Sequence, residues 1–283
     1  MKSSQILARR MRPAQLIPFL PLLGSAAFGA TIVAFEGAPT DTPFTLNQFG
    51  VAPGASVQTS GGNPGGYLQL TPGANDQNNW ATFNRTDPVS NVVNFSFQFQ
   101  LIPVGAGGAD GISFFLLPTA TYGLTGGVGS SLFTPEDPAI AGVLGFGFDT
   151  WGNGGALDTN GNGADYSEIS IFWNGGLVSR IDDTRALTVP LNLKDSAWHT
   201  VNGAINFLTT NVNMTVDGNP IFTNQAVAGL VPYESRVGFA GRTGNANENA
   251  GVDNINVAFV PEPASLGALA IGSLVLLKRR RRG

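Results

Sequence analysis

Oxygen-bearing side chains are concentrated in one glycine-rich stretch of the sequence, residues 143–171. They follow each other at short intervals: Asp149, Asn153, Asp158, Asn160, Asn162, Asp165 and Glu168. Calcium binds six to eight hard oxygens at about 2.3–2.6 Å, supplied by carboxylates, amides, backbone carbonyls and water. The spacing fits ligation of one calcium ion by four groups: Asp149, the Trp151 carbonyl, Asn153 and Asp158. Spacing alone fits a solvated acidic turn equally well.

The residue types that the chain lacks exclude several kinds of chemistry. The 283 residues include no cysteine and one histidine, which excludes disulfides, thiol nucleophiles and cysteine-ligated metal sites. His199 opens a predicted strand, and no G-x-S-x-G sequence offers a serine nucleophile, so we expect a structural role for His199. The Glu-x-Asp-x-x-Glu pattern of sandwich-fold glycoside hydrolases is also absent. We therefore predict that the protein is not an enzyme.

The charge is distributed unevenly along the chain. Residues 1–30 carry four basic and no acidic residues, whereas residues 31–260 carry 18 acidic and 6 basic residues, a net charge of −12. A body of this charge repels nucleic acid and attracts cations. We therefore expect no nucleic-acid partner.

The first 30 residues have the layout of a secretory signal peptide. A basic start is followed by an apolar run at 16–23 and by the small residues 24–27, with cleavage expected after Ala27 or near Ala30. Pro18 and Pro21 interrupt a run that is already short for a membrane span. The sequence therefore predicts export of the body.

The last residues, 260–283, form a second predicted targeting segment. Val260-Pro261-Glu262-Pro263 precedes an apolar run at 264–277 and a terminal basic cluster at 278–282, an order that resembles the PEP-CTERM sorting signal. The resemblance implies cleavage by an exosortase, transient association with the inner membrane, and release to the cell surface or an exopolysaccharide matrix. A plain single-span anchor is the alternative, although fourteen helical residues rise only about 21 Å against a hydrocarbon core of about 30 Å.

The body between these segments, residues 31–259, is predicted to be one all-β domain. Residues 94–102 alternate apolar and polar side chains, the two-residue period of a half-buried strand. Similar strands are separated by the pairs Asn174-Gly175 and Asp217-Gly218, which favour tight hairpins. Helical spacing of apolar residues is confined to the two ends. We therefore predict an antiparallel β-sandwich.

Three segments in order resemble the legume-type (L-type) lectin domain. They are Gly108-Ala-Asp-Gly-Ile-Ser-Phe-Phe115, the Asp149 to Asp158 stretch, and Arg236-Val-Gly-Phe-Ala-Gly-Arg-Thr-Gly244. The resemblance covers about residues 31–259 and implies a jelly-roll sandwich of the concanavalin A type. It also implies a calcium ion held by the four groups named above, and a shallow sugar site beside it.

In that sugar site, the resemblance implies that Asp110 follows a cis peptide bond and accepts hydrogen bonds from sugar hydroxyls. Asn153 would both bind calcium and donate to the sugar. Backbone N–H groups of Gly126 or Gly127 would contribute from one side. The loop at 242–247 would complete the rim with three residues: Thr243, Gly244 and Asn245.

The sequence departs from the plant pattern at a second, transition-metal site. The glutamate expected two residues before Asp149 is replaced by Gly147, and Glu168 stands where a histidine is expected, so we predict no second metal of that kind. An inserted stretch, residues 158–165, matches the first half of an EF-hand loop and could bind a second calcium ion.

Together these features predict an exported, calcium-dependent carbohydrate-binding protein with a glycan or exopolysaccharide as its partner. The alternative is a structural matrix or surface protein in which calcium stabilises the sandwich and no sugar is bound.

Overall fold

The structure is a computed structural model that describes residues 29–37, 41–86, 89–105, 107–152 and 167–260. Its strands are β1 Gly29–Val33, β2 Phe44–Gln48, β3 Ser56–Gly62, β4 Gly65–Pro72, β5 Asn78–Phe83, β6 Val92–Val104, β7 Gly111–Pro118, β8 Leu144–Asp149, β9 Glu168–Trp173, β10 Gly176–Ile181, β11 His199–Asn206, β12 Asn211–Val216, β13 Asn219–Ala226, β14 Ser235–Arg242 and β15 Asn247–Val260. The helix α1 (Thr119–Tyr122) and a 3₁₀ turn (Thr184–Ala186) are short. In the described ranges, no helix has the length and apolar character that a membrane crossing requires.

The strands form two antiparallel sheets. The larger sheet has the order β13-β12-β11-β6-β15-β4-β3, with β1 also paired to β15, and the smaller has the order β10-β9-β8-β7-β14-β5-β2. The predicted all-β sandwich is therefore confirmed. Residues 1–28 and 261–283 lie outside the described residues, so the signal peptide and the sorting segment stay predictions. Because β1 begins at Gly29, cleavage after Ala27 leaves β1 whole, whereas cleavage after Ala30 cuts it.

The main core lies between the sheets and is rich in phenylalanine. In β6, the alternation predicted from the sequence places Phe95, Phe97 and Phe99 inward, where each is at most 3% exposed. The Phe97 ring lies 5.3 Å from that of Phe114 and 5.0 Å from that of Phe239, which belong to the smaller sheet. Burying such a side chain stabilises the fold by about 1.5–3 kcal/mol. These contacts hold the two sheets face to face.

A second apolar cluster covers the outer face of the smaller sheet. The segment that connects β7 and β8 lies over this face, and its Phe133 ring lies 4.5 Å from that of Trp80 at an angle of 49°. The same segment carries Glu136 towards the end of the sheet at which β7 begins and β8 and β14 end. Because this segment covers the middle of the face with apolar side chains, the polar groups of the face that could bind a ligand are left at that end.

The predicted hairpin turns are confirmed. Asn174 and Gly175 connect β9 to β10 with φ angles of 52° and 85°, and Asp217 and Gly218 connect β12 to β13 with φ angles of 51° and 78°. Positive φ at both central positions matches the right-handed twist of the strands, and Asn, Asp and Gly tolerate it best.

Candidate functional site

Strand pairing brings four residues into one row across the smaller sheet. Arg242 pairs with Gly111, Gly111 with Asp149, and Asp149 with Glu168. Directly opposed residues of an antiparallel pair point to the same face, so the charged members of the row share the outer face of the sheet. This row lies at the ends of the strands. We call the row, together with Asp110, which precedes Gly111, and the loop at 243–246, the Asp110 end.

Asp110 is fixed by the ends of two neighbouring strands. Its backbone N–H donates to the Arg242 carbonyl at 2.9 Å, and its own carbonyl accepts from the Thr150 N–H at 2.9 Å. The Ala109–Asp110 peptide bond is cis, as the lectin resemblance implies. The residue is 3% exposed, and a Cβ placed on Gly244 would lie 3.4 Å from Asp110 Oδ2. The carboxylate therefore lies beside Gly244, a residue without a side chain.

An arginine connects the carboxylates of the Asp110 end. Arg242 Nη2 lies 3.3 Å from Asp110 Oδ2, and Arg242 Nε donates to both oxygens of Glu136 at 3.0 and 2.9 Å. Burial alone would lower the pKa of Arg242, but the hydrogen bonds to Glu136 and the charges of Glu136, Asp110 and Asp149 raise its pKa above the ordinary value. The guanidinium is thus a permanent cation among three carboxylates.

Asp149 and Trp151 start the loop that was predicted to bind calcium. Asp149 is fully buried, and its Oδ1 accepts a hydrogen bond from the Trp151 N–H at 2.7 Å. A Cβ on Gly107 would lie 3.6 Å from Trp151 Cζ3 and 3.2 Å from Ala246 Cβ, so three loops meet beside the Trp151 ring. The structure therefore brings the predicted residues Asp110, Asp149 and Trp151 to the same end of the sandwich as Gly244.

The described residues supply only part of the oxygen donors that a calcium site needs. A buried carboxylate at the end of a strand, followed by a loop rich in oxygen donors, is chemistry that suits Ca²⁺. Asn153, Asp158 and the inserted stretch to 165 lie outside the described residues. Within the described ranges, His, Asp and Glu side chains form no group of three that could hold a metal alone. Calcium ligation therefore needs oxygens from the 153–166 stretch and stays a prediction.

Two side chains, the partly buried Lys194 and the buried Glu248, support the backbone of this end from the side of the larger sheet. Lys194 Nζ donates to the Thr150 carbonyl at 2.7 Å and to the Gly108 carbonyl at 3.3 Å. Glu248, fully buried on β15, accepts from Thr150 Oγ1 at 3.1 Å. Burial raises the pKa of Glu248 to about 8. These contacts tie both loops that flank Asp110 to the larger sheet.

Gly126 and Gly127 lie elsewhere on the smaller sheet. The Gly126 carbonyl accepts from Arg236 Nη1 at 2.5 Å and from Thr82 Oγ1 at 2.9 Å. Arg236 and Arg242 occupy opposite ends of β14, about 20 Å apart at roughly 3.3 Å per residue. The structure therefore does not bring the two glycines to Asp110, and the expectation that their N–H groups border the sugar site is not supported. The loop residue that does reach this end is Glu136.

Of the residues predicted to form the rim, Thr243 is buried and Asn245 is exposed. Thr243 is 1% exposed, and its hydroxyl accepts from the Gln77 N–H at 3.1 Å and donates to the Ala74 carbonyl at 2.5 Å. That hydroxyl therefore holds the loop at 74–77 by hydrogen bonds and does not face solvent. Asn245 is exposed directly after Gly244 and leaves its amide at the surface.

At position 147, where plant lectins carry a glutamate, backbone atoms fill the space that a side chain would need. A Cβ on Gly147 would lie 2.1 Å from the Glu136 carbonyl oxygen and 2.6 Å from Ser170 Oγ. No side chain fits at this position while the 134–138 segment lies above it. The absence of a glutamate at position 147 thus has a steric reason in this chain.

His199 has the structural role expected from the sequence. It is 3% exposed at the start of β11, and its Nδ1 lies 2.7 Å from Asp217 Oδ2 in the turn that follows β12. The histidine therefore connects a strand to a turn and lies outside the Asp110 end.

Solved structures share this architecture. Lectin II from Ulex europaeus aligns with a TM-score of 0.53 at 21% identity, over 76% of this chain and 93% of that one. A lectin from Bauhinia forficata in complex with GalNAc aligns with a TM-score of 0.57 at 17% identity, over 84% of this chain and all of the other.

This chain has the fold of the legume lectins. The Ca²⁺- and Man3GlcNAc-bound exoplasmic/lumenal domain of VIP36 is also similar, with a TM-score of 0.53 at 12% identity over 77% of this chain and 86% of that domain. No protein-family model matches the sequence, and no curated protein matches it. The legume-lectin fold therefore rests on the structure.

Proposed function

We propose that the protein is an exported, calcium-dependent carbohydrate-binding protein whose sugar site is the Asp110 end. The observation that carries this proposal is the Asp110 carboxylate, fixed between two strand ends and lying beside Gly244, in a chain with the legume-lectin fold. A carboxylate is an acceptor for hydroxyl groups, which donate and accept hydrogen bonds at once. The sugar complex named for the Bauhinia forficata lectin supports a glycan as the ligand class.

Each part of the site has a distinct task in this proposal. Asp110 accepts hydrogen bonds from sugar hydroxyls, and the exposed Asn245 amide borders the sugar. Asp149, the Trp151 carbonyl, Asn153 and Asp158 would hold calcium, which would supply the charge that orders the loop after β8, and Asn153 would also donate to the sugar. Arg242 keeps the Asp110 carboxylate oriented through its 3.3 Å contact. The site contains no group assigned to bond cleavage, so binding occurs without catalysis.

Localisation forms part of the same proposal. The signal-peptide layout of residues 1–30 supports export, and the order of motifs in residues 260–283 supports processing by an exosortase. The protein would then associate transiently with the inner membrane and reach the cell surface or the exopolysaccharide matrix. Cell fractionation tests this: replacing Pro261-Glu262-Pro263 by alanines should retain the protein in the inner membrane, and an unchanged distribution would contradict the sorting step.

Isothermal titration against a panel of mono- and oligosaccharides, including galactose, GalNAc and mannose, tests the binding function. We expect at least one sugar to bind in calcium, and binding to disappear in EDTA and in Asp110→Asn. The matched control is Glu234→Gln, which changes a surface carboxylate that pairs with Arg85. Equal binding by Asp110→Asn and the wild type would refute the assignment. Release of reducing sugar would refute the prediction that the protein binds sugar without catalysis.

A structural role is the second candidate function, and two observations favour it. One Asp110 oxygen already contacts Arg242, and the Thr243 hydroxyl is used internally. Under this alternative, calcium raises the melting temperature while no sugar in the panel binds. The same titration and a melting curve with and without calcium distinguish the two functions.

A further inference from the structure

The outer face of the larger sheet is almost free of charge. Strands β6, β11, β12 and β15 contain two carboxylates, Glu248 and Asp253, and both have 0% exposure. Asp253 is paired with the outward Gln98 and is covered by the turn after β3, whose Asn63 N–H donates to it at 2.7 Å. The polar side chains at the exposed outward positions are asparagine, glutamine, serine and threonine. Exposed protein surfaces are ordinarily rich in lysine, glutamate and arginine. An uncharged but strongly hydrogen-bonding face in a body of net charge −12 therefore requires a specific explanation.

A shallow hollow of about 270 Å³ lies on this face, between β11, β6 and β15. Four polar side chains line it: Asn94, Ser96, Asn202 and Asn256. Among the described residues, none of the four makes a side-chain hydrogen bond, and the three asparagines are exposed. Each amide therefore offers both donors and an acceptor to a molecule placed in the hollow.

Two aromatic rings form a platform on the same face. Tyr67 on β4 and Trp198 before β11 meet edge to face, with ring centroids 5.6 Å apart. They meet above Gly251, because a Cβ there would lie 2.8 Å from Tyr67 Cδ2 and 3.3 Å from Trp198 Cη2. Both rings are partly exposed. A partly exposed pair of Tyr and Trp presents an apolar surface with polar tips.

Fixed amides connect the platform to the hollow. Gln100 Nε2, beside the platform, donates to the Ser196 carbonyl at 2.7 Å. Gln98, the next outward residue of β6, accepts from Asn254 Nδ2 at 2.9 Å and donates to Thr200 Oγ1 at 3.4 Å. From Gln100 to Asn94 the strip extends along β6 for about 20 Å at roughly 3.3 Å per residue. The platform, the amides and the hollow thus form one continuous strip along the strand direction.

We propose that this strip is a second carbohydrate-binding surface, which binds a chain of neutral polysaccharide along β6. Aromatic rings stack against the apolar face of a sugar ring, while amides pair with its hydroxyl groups as donor and acceptor. The absence of exposed charge on the strip matches a neutral polymer. The net charge of −12 repels an acidic polysaccharide and also a second copy of the chain. The strip lies on the sheet opposite to the Asp110 end and contains none of the predicted calcium ligands, so it does not depend on the function proposed above.

Affinity gel electrophoresis in EDTA tests the proposal on the full chain. Gels contain galactomannan, mixed-linkage β-glucan or dextran, with polygalacturonate as the acidic comparison. We expect the wild type to migrate more slowly in at least one neutral gel and to be unaffected by polygalacturonate. Trp198→Ala removes half of the platform, and Asn202→Asp places a charge at the hollow with almost no change of shape; each should weaken binding at least about 10-fold. Gln48→Glu, an exposed amide on β2, is the matched control and should bind like the wild type.

Asp110→Asn separates this surface from the calcium-dependent site. The proposal holds if Asp110→Asn retains the retardation that Trp198→Ala and Asn202→Asp lose, whatever the sugar titration shows. Migration unchanged in every neutral gel would overturn it, as would retardation that Asp110→Asn abolishes and the two strip variants retain. Light scattering that shows a dimer split by Asn202→Asp would overturn it too, because the face would then belong to a second copy of the chain.

Discussion

Removal of the Arg242 side chain should leave a fully buried carboxylate without its main partner. Glu136 has 0% side-chain exposure and receives contacts from Arg242 Nε at 3.0 and 2.9 Å, whereas the arginine itself is 27% exposed. Breaking a buried ion pair by removing one partner costs about 3–5 kcal/mol, because the remaining charge is desolvated. For a domain of this size, the loss corresponds to a fall in melting temperature of about 6–20 °C.

The assay is a double-mutant cycle of Arg242→Gln, Glu136→Gln and the double variant, measured by urea denaturation in EDTA. Because the double variant also removes the buried Glu136 charge, it should recover part of the stability that Arg242→Gln loses; the remainder belongs to Asp110, which also contacts Arg242. The control is Arg85→Gln. Arg85 is also 27% exposed, but its partner Glu234 is 38% exposed, so we expect a loss of at most about 1 kcal/mol.

Two results would refute this reasoning. A loss below about 1 kcal/mol in Arg242→Gln would place the pair among surface ion pairs. Additive losses in the double variant would show that the two side chains do not interact energetically.

Three further predictions concern pH, packing and calcium. The pKa of Glu248 is raised from 4.5 to about 8 in the folded state, so that state retains a proton which the unfolded chain releases. In EDTA the wild type should therefore lose at least about 1.4 kcal/mol of stability, the equivalent of one pKa unit, as the pH rises from about 5 to about 8. Glu248→Gln should flatten that dependence, and an unchanged slope would contradict the assignment. Gly147→Ala should cost about 1–3 kcal/mol by overpacking against the Glu136 carbonyl. Gly129→Ala, at a position with no atom within 4 Å, should be nearly neutral, and equal melting temperatures for the two would contradict the packing argument. Calcium at a hundredfold excess over its dissociation constant should stabilise the wild type by about 2.7 kcal/mol and Asp149→Asn much less, as followed by thermal melting. Equal stabilisation of the two would remove Asp149 from the calcium site.

The sequence predicted the features that depend on local patterns. The alternation at 94–102 and the Asn174-Gly175 turn follow from the period of a strand and from the backbone angles of a tight turn, and both are confirmed. The position of Asp110 at the entry to β7 follows from a short motif that one strand positions.

The remaining parts of the site depend on contacts between distant segments. Glu136 and Arg242 are separated by 106 positions, and nothing near Glu136 in the sequence indicates an ion pair. The lectin resemblance implied that Gly126 borders the sugar site, but in the structure the Gly126 carbonyl accepts a hydrogen bond from Arg236, which lies at the other end of β14. Such placements depend on how a long connection crosses a sheet, which residue types and spacing do not encode.

The direction of β15 determines how the domain is presented when it is held by its carboxyl terminus. This 14-residue strand starts at Asn247, shortly after Gly244 and Asn245, and ends at Val260, where the predicted sorting segment begins. Its length separates the two points by about 43 Å at roughly 3.3 Å per residue. A molecule tethered through residues after Val260 would therefore hold Gly244 and Asn245 at the end of the strand that lies farthest from the tether.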